Sequence, residues 1–209
     1  MSKKRDATKS KELIINNAKI LFAKNGFTNS SMDSLAKMCD LNKAMIFYYY
    51  KNKQGLFEAV MIDVLDDIFK AIELNDKKYS KPIDKLESFI KTYGKYAYEH
   101  RYFPALLLKE LSSSGSVLEQ QLFLNMQKLY SKFSQIIQDG QKDKSFKDAN
   151  SMILYFMIIG TLNLMVTTKD LRVTASKEND IDTCANCKIE EITTYLIKKI
   201  KLLLRGEIK

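Results

Sequence analysis

The stretch from Ser30 to Leu56, SSMDSLAKMCDLNKAMIFYYYKNKQGL, leaves a chain few ways to fold. Met32, Leu35, Ala36 and Cys39 recur at i, i+3, i+4 and i+7, the spacing of one apolar face on a short helix. Ser30 or Ser31 can cap that helix, with Asp33 near the positive end of its dipole. Asp40 falls at the turn that follows, where a short polar side chain tolerates left-handed backbone. Leu41 then re-enters the core. Asn42 can cap a second helix, which Ile46 and Tyr50 hold against the first. Two short helices joined by a tight turn, with a longer helix starting at Lys53, make helix-turn-helix geometry.

The outer face of the second helix makes poor sense as plain surface. Lys43, Ala44, Phe47 and Tyr48 point outward, with Met45, Tyr49 and Lys51 beside them. Lysines neutralise phosphates, a small residue lets the helix approach base edges, and aromatic rings pack on thymine methyls or sugars. The same cluster on a helical corner would also suit a protein partner, so this stretch alone leaves a DNA reader and a helical adaptor both open.

Read in order, Gly26, Phe27, Ser30, Ser31, Met32, Leu35 and Ala36, then Leu41 to Lys53 and Leu56, resemble the signature of the TetR family of transcriptional regulators. Ile15, Ala18, Leu21, Phe22 and Ala23 match that family's first helix, and the resemblance spans residues 10–60. It implies a DNA-binding transcriptional regulator that answers to a ligand; the function expected of the whole chain is a dimeric repressor on a palindromic operator, released when a small apolar or aromatic effector binds the C-terminal domain. Residues matching Tyr49 and Lys53 commonly contact phosphate in the family, and those matching Lys43, Ala44 and Phe47 face bases. Together with Ser30, Ser31, Asn42, Met45, Tyr48 and Lys51 they form the expected DNA-binding set. Three departures stand out. Asp33 stands where many relatives place a basic or neutral residue near DNA, so the resemblance implies that it either repels phosphate or only caps its helix. Asp40 replaces the usual turn glycine, and Phe47 replaces a tyrosine, leaving apolar readout alone.

Charge supports a divided chain. Residues 1–56 carry eleven Lys and Arg against four Asp and Glu, a net of +7; the other 153 carry 23 against 21, a net of +2. A basic head on a near-neutral body suits a DNA-binding domain fused to something else. The expected organisation is a basic arm at 1–9, a helix-turn-helix domain at 10–56 and a helical ligand-binding and dimerisation domain at 57–209. With two prolines, seven glycines and few alternating runs, the fold class is all-α, with about nine helices. The arm reads equally as a DNA-reaching segment or a solvated tail.

Beyond the head, the fourth helix is expected to run to about Leu74, long enough to link the two domains; the resemblance implies that its tilt carries the ligand signal. Further helices are expected at 83–99, 105–111, 117–138 (stopped by Asp139-Gly140), 149–168 (capped by Asp148) and 189–204, with loops at 112–116 and 169–187. Phe89, Tyr93, Tyr96, Phe103, Phe123, Met126, Tyr130, Met152, Tyr155 and Phe156 are candidates for a ligand cavity. Aromatic and Met residues at helical spacing also serve as ordinary core, but buried phenols need polar partners, which suits an apolar cavity with a few anchors. The helix at 149–168 is apolar nearly all round and must be covered on both sides. Ile153, Phe156, Met157 and Leu164 there, with Ile192, Leu196, Ile200 and Leu203 of the last helix, are the expected four-helix dimer interface.

Cys184 and Cys187 form a C-x-x-C, a spacing that suits a metal or a redox pair. A zinc site needs about four ligands, and His100 is the single histidine, far off in sequence. Two copies of the pair across a dimer would supply four thiolates, and ordinary reduced cysteines remain the simpler reading. No nucleophile–base pair, glycine-rich phosphate loop or metal set is visible, so neither an enzyme nor a cofactor is expected. The N-terminus lacks an apolar stretch, and the longest apolar run, Met152–Val166, is broken by Gly160, Thr161 and Asn163. A cytoplasmic protein with no membrane span is expected.

Overall fold

The fold comes from a computed structural model that describes residues 2–112, 120–179 and 184–206. Among the described residues every regular element is an α-helix. There are ten: α1 (Ser2–Asn29), α2 (Met32–Cys39), α3 (Lys43–Tyr50), α4 (Lys53–Asp76), α5 (Pro82–Glu99), α6 (Tyr102–Ser112), α7 (Gln120–Lys142), α8 (Ser151–Thr167), α9 (Lys169–Asn179) and α10 (Ile189–Arg205). The residues expected to form an arm continue α1 back to Ser2.

In the head, α1 packs on α2 and α4, and α2 on α3. Ile14, Ala18, Leu21 and Phe22 of α1 belong with Leu35 of α2 and Ile46 of α3 to one buried apolar core. At Gly26, φ 71° and ψ 171° break the helical path: the φ is the positive one expected of a C-cap, but the ψ is extended rather than left-handed helical. The kink turns Phe27 onto Phe57, with centroids 4.9 Å apart, and Phe57 meets Phe22 edge-on at 5.7 Å. Asp40 takes the left-handed conformation expected of it (φ 51°, ψ 42°) and its N–H closes the end of α2.

The spine of the molecule is α4. Leu56, Phe57, Val60, Met61, Val64, Leu65, Ile68 and Ile72 are all buried along it, so one helix shares its core with the head at one end and with α5 and α7 at the other. Around α5 stand α7, α8 and α10. Tyr93 on α5 is 1% exposed and donates to Asn163 Oδ1 on α8 at 2.9 Å. This pairing offsets the desolvation cost of two polar groups in an apolar layer.

Helix α6 begins at Tyr102, so the break after α5 is shorter than expected and Pro104 lies in the first turn, where its missing N–H costs nothing. Helix α7 does not stop at Asp139-Gly140. Gly140 lies inside it, where a Cβ would stand 2.2 Å from the Phe146 ring; the glycine admits that ring, and the left-handed residue comes later, at Lys144. Asn150, not Asp148, caps α8, its Oδ1 accepting from the N–H groups of Met152 and Ile153. Residues 169–179, expected as loop, are α9, a polar helix whose weak stripe hides it from periodicity. Positions 113–119 and 180–183, parts of the expected loops and of the start of α7, lie outside the described residues. Among the described residues no single helix is long and apolar enough to cross a membrane; α8 and α9 pass that test only together, bent by 63°.

Candidate functional site

Helix α3 is presented by its caps and its one buried anchor. Asn42 Oδ1 accepts from Ala44 N–H at 2.9 Å, and Ser31 Oγ accepts from Ser34 N–H at 3.0 Å, so each short helix starts on a side-chain oxygen. Ile46 is fully buried, which turns Ala44, Met45, Phe47 and Tyr48 outward; Tyr48 is 83% exposed. Ser30 behaves differently from Ser31. It is buried and donates to Gly26 O at 2.6 Å, so its hydroxyl braces the Gly26 kink and is not on the exposed face.

The cations around this face are held in position. Lys43 Nζ pairs with Asp33 at 2.8 Å and lies 5.9 Å from the Phe47 ring centre. Asp33 therefore neither merely caps nor stands alone; it holds the lysine expected to read bases. Lys53 Nζ donates to Thr28 O at 3.0 Å and sits 4.6 Å over the Phe27 ring, so it is fixed between the end of α1 and the start of α4. Lys11 of α1, absent from the sequence expectation, lies 5.5 Å over Tyr49. The Tyr50 hydroxyl donates to Lys11 O at 3.2 Å, and burial pushes its pKa up to about 12. The signal that could have found Lys11 was its place on the polar side of the first helix.

Between α3 and α4, Lys51 has φ 61° and ψ −54°, and Asn52 N–H donates to Tyr50 O at 2.6 Å. This is a γ-turn of the strained hand. Replacing Lys51 with glycine is expected to stabilise the fold by about 0.5–1 kcal/mol in urea unfolding, because glycine enters positive φ freely. If Lys51 also contacts phosphate, the same variant loses DNA affinity, so stability and binding move in opposite directions.

A three-helix head with a capped, outward-facing α3 and flanking lysines is the geometry of a DNA reader. Residues 14–60 match the family model described as bacterial regulatory proteins, tetR family, and residues 79–167 match the one described as tetracyclin repressor-like, C-terminal domain. The chain belongs to the TetR family. It is a DNA-binding transcriptional regulator, of a family made of regulators rather than enzymes. It is similar to the probable HTH-type transcriptional regulator YttP of Bacillus subtilis, 26% identical over 66% of this chain and 67% of that one. It is also similar to IcaR of Staphylococcus aureus, the HTH-type negative transcriptional regulator of the biofilm operon icaADBC, 26% identical over 70% and 80%. In fold it resembles the transcriptional regulator FadR of Bacillus subtilis, solved in complex with stearoyl-CoA, with a TM-score of 0.73 and 20% identity over 93% of this chain and 98% of that one.

In this TetR-family chain the ten residues expected around a ligand cavity do not form one group. Phe89, Tyr93, Tyr130 and Tyr155 gather between α5, α7 and α8, with Phe89 and Tyr155 both on the Phe133 ring and Tyr130 against Ser151 Oγ at 3.1 Å. Phe103 is fully buried at the start of α6, Tyr96 stacks on His100 at 4.2 Å, and Met126 is half-buried on α7. Phe123, Met152 and Phe156 are 57%, 42% and 61% exposed, so they face away from that interior. An outward groove of about 520 Å³ on α4 and α7, missed at the sequence level, is lined by Phe69, Leu124, Lys128 and Lys132.

The interface candidates divide as well. Ile153, Phe156, Met157 and Leu164 are exposed along α8, while Ile192, Leu196 and Leu203 are half-buried on α10. Ile200 is 2% exposed and belongs to this chain's own core. Tyr195, 65% exposed beside Ile192 and Leu196, takes its place on the outward face.

Head and body are tied by Lys19 of α1, whose Nζ reaches Asp63 at 2.5 Å and Asp67 at 3.1 Å on α4. Burial alone would lower the Lys19 pKa, but hydrogen bonds and the charges of both carboxylates raise it on balance. Among the described residues no group of three or more His, Cys, Asp or Glu side chains could hold a metal ion. Cys184 and Cys187 are joined as a disulfide.

Proposed function

We propose that this regulator is a homodimeric repressor that reads an inverted-repeat operator through α3 and leaves it when an acyl-type ligand binds the C-terminal domain. The observation that carries the DNA half is the exposed face of Lys43, Ala44, Phe47 and Tyr48, fixed by Asn42 and Ile46 and flanked by Tyr49, Lys51 and Lys53. In this reading Lys43, Ala44, Met45 and Phe47 meet base edges, and Ser31, Asn42, Tyr48, Tyr49, Lys51 and Lys53 meet phosphates and sugars. Lys43 exchanges Asp33 for DNA on binding, so Asp33 penalises every sequence that gives the lysine no better acceptor.

A negative regulator among the relatives and a stearoyl-CoA complex among the structural neighbours support the repressor and acyl-ligand parts. An acyl chain needs an apolar slot with few polar anchors. The aromatic layer of Phe89, Phe133 and Tyr155, with the Tyr93–Asn163 pair inside it, has that composition. The groove of Phe69 and Leu124 beside Lys128 and Lys132 suits the junction between an apolar tail and an anionic head. Ligand entry parts α5 and α7 from α4, and the Lys19 clamp passes that movement to α1 and the head.

Two substitutions test the reading head. Lys53→Ala is expected to weaken binding to all DNA sequences alike and to lower the salt slope by about one. Lys43→Ala is expected to change which sequence is preferred, with a discrimination loss of about 1–3 kcal/mol at one base pair. Fluorescence anisotropy against a set of single-base operator variants measures both. Equal loss on every sequence for both variants would remove Lys43 from base reading.

A further inference from the structure

Neither the DNA face nor the ligand interior accounts for Cys184 and Cys187. They close a small ring just before α10, with Cα atoms 5.1 Å apart. Cys184 holds φ at 51°, left-handed backbone that a residue with a Cβ disfavours, and Cys187 N–H donates back to Cys184 O at 3.2 Å. The Arg172 guanidinium fastens this turn to its neighbours: Nη1 donates to Cys184 O and Nη2 to Met165 O. One arginine and one cysteine ring thus tie together α8, α9 and the entrance to α10. The ring is also a wall of a groove of about 660 Å³, whose other walls include Thr161 and Met165 of α8 and Ile192, Tyr195 and Leu196 of α10. Those walls adjoin the exposed apolar faces assigned above to the second copy.

We propose that Cys184 and Cys187 are a reversible dithiol–disulfide switch, closed by hydroperoxides, that sets how firmly α8 and α10 are held for pairing with a second copy of the chain. The switch rests on the reading of α8 and α10 as the dimer face. A regulator acting on bacterial DNA works where thiols are kept reduced, so a disulfide there forms transiently and carries a signal. In the closing step one thiolate attacks a peroxide oxygen; the O–O bond breaks, that oxygen stays on the sulfur as a sulfenic acid, and the other leaves as hydroxide, which takes up the proton the thiol released and becomes water. The second thiolate attacks that sulfur; the S–S bond forms, the S–O bond breaks and a second water leaves. Two thiols are oxidised by two electrons as one hydrogen peroxide is reduced to two waters. A dithiol reductant reopens the ring through a mixed disulfide. Cys39 is the internal control, a buried thiol whose pKa burial pushes up, which slows its reaction.

The test uses the full chain, reduced with dithiothreitol and then treated with hydrogen peroxide, beside a Cys184→Ser, Cys187→Ser double variant. Intact mass reads the chemistry and sedimentation reads the dimer. Oxidation is expected to remove two hydrogens, about 2 Da, from the wild type only. It is also expected to tighten the wild-type dimer by at least about fivefold, while the double variant keeps one dissociation constant with or without peroxide. A wild-type mass unchanged by peroxide overturns the sulfur chemistry. A two-hydrogen loss with an unchanged dimer constant overturns the switch but leaves the dimer face standing. A monomer in both states, with the mass still falling, overturns the dimer face and the switch with it.

Discussion

Changing Ile153 and Phe156 together to glutamate is expected to turn the regulator into a folded monomer that barely holds its operator. Both side chains are largely exposed on the single chain, at 60% and 61%, so the change removes little that the monomer's own core needs. Across a two-fold axis it places four carboxylates in an apolar contact, and an unpaired charge buried there costs several kcal/mol. The dimer constant should therefore rise by at least about a thousandfold. Operator affinity should fall by about 100-fold or more, because two linked heads no longer bind as one unit. Helical circular dichroism and sedimentation separate this outcome from unfolding. A variant that still sediments as a dimer would place the interface elsewhere.

The other large effect is expected at Phe57. Its ring lies against both Phe22 and Phe27 and is 1% exposed. Phe57→Ala should cost about 3–5 kcal/mol in urea unfolding, as deletion of a buried ring leaves a cavity that the surrounding helices close only in part. That is a large share of the 5–15 kcal/mol typical of a domain, so the head should unfold before the body. Phe27 also lies under Lys53, so loss of its packing removes one of the two contacts, the other being with Thr28 O, that hold that lysine. Phe57→Leu keeps most of the volume and should lose less than about half as much. Equal stability of wild type and Phe57→Ala would mean that the aromatic joint does not hold the head.

Local chemistry was legible in the sequence wherever a side chain does one job. The cap at Asn42 and the left-handed Asp40 each have few alternatives, and the helix-turn-helix follows from them. Residues with two possible jobs were not legible. Gly140 looked like a helix stop, but glycine also admits close approach, and the Phe146 ring needs it. Ser30 and Ser31 look alike as caps, and only the Gly26 kink turns one inward. Helix α10 carries two apolar stripes, one of Ile189, Thr193, Ile197, Ile200 and Leu204 facing in, the other of Ile192, Tyr195 and Leu196 facing out, and periodicity mixed them. Helix α8 is apolar all round, so nothing in its own pattern could separate Leu154 and Ile158, which are buried, from Phe156, which is not. Pairings across long sequence gaps, such as Lys19 with Asp63 or Tyr93 with Asn163, depend on how the helices pack, and no local signal carries that.

The most direct test of the DNA reader is selection of bound sequences from a random DNA pool, with purified protein unfolded, freed of ligand and refolded, at moderate salt. An inverted repeat is expected, with half-sites about one helical turn, or a small multiple of it, apart and with the preference at one base pair of each half-site altered in Lys43→Ala. A folded, dimeric protein that enriches no sequence would show that α3 does not read DNA, and an unchanged motif without Lys43 would remove that lysine from base reading.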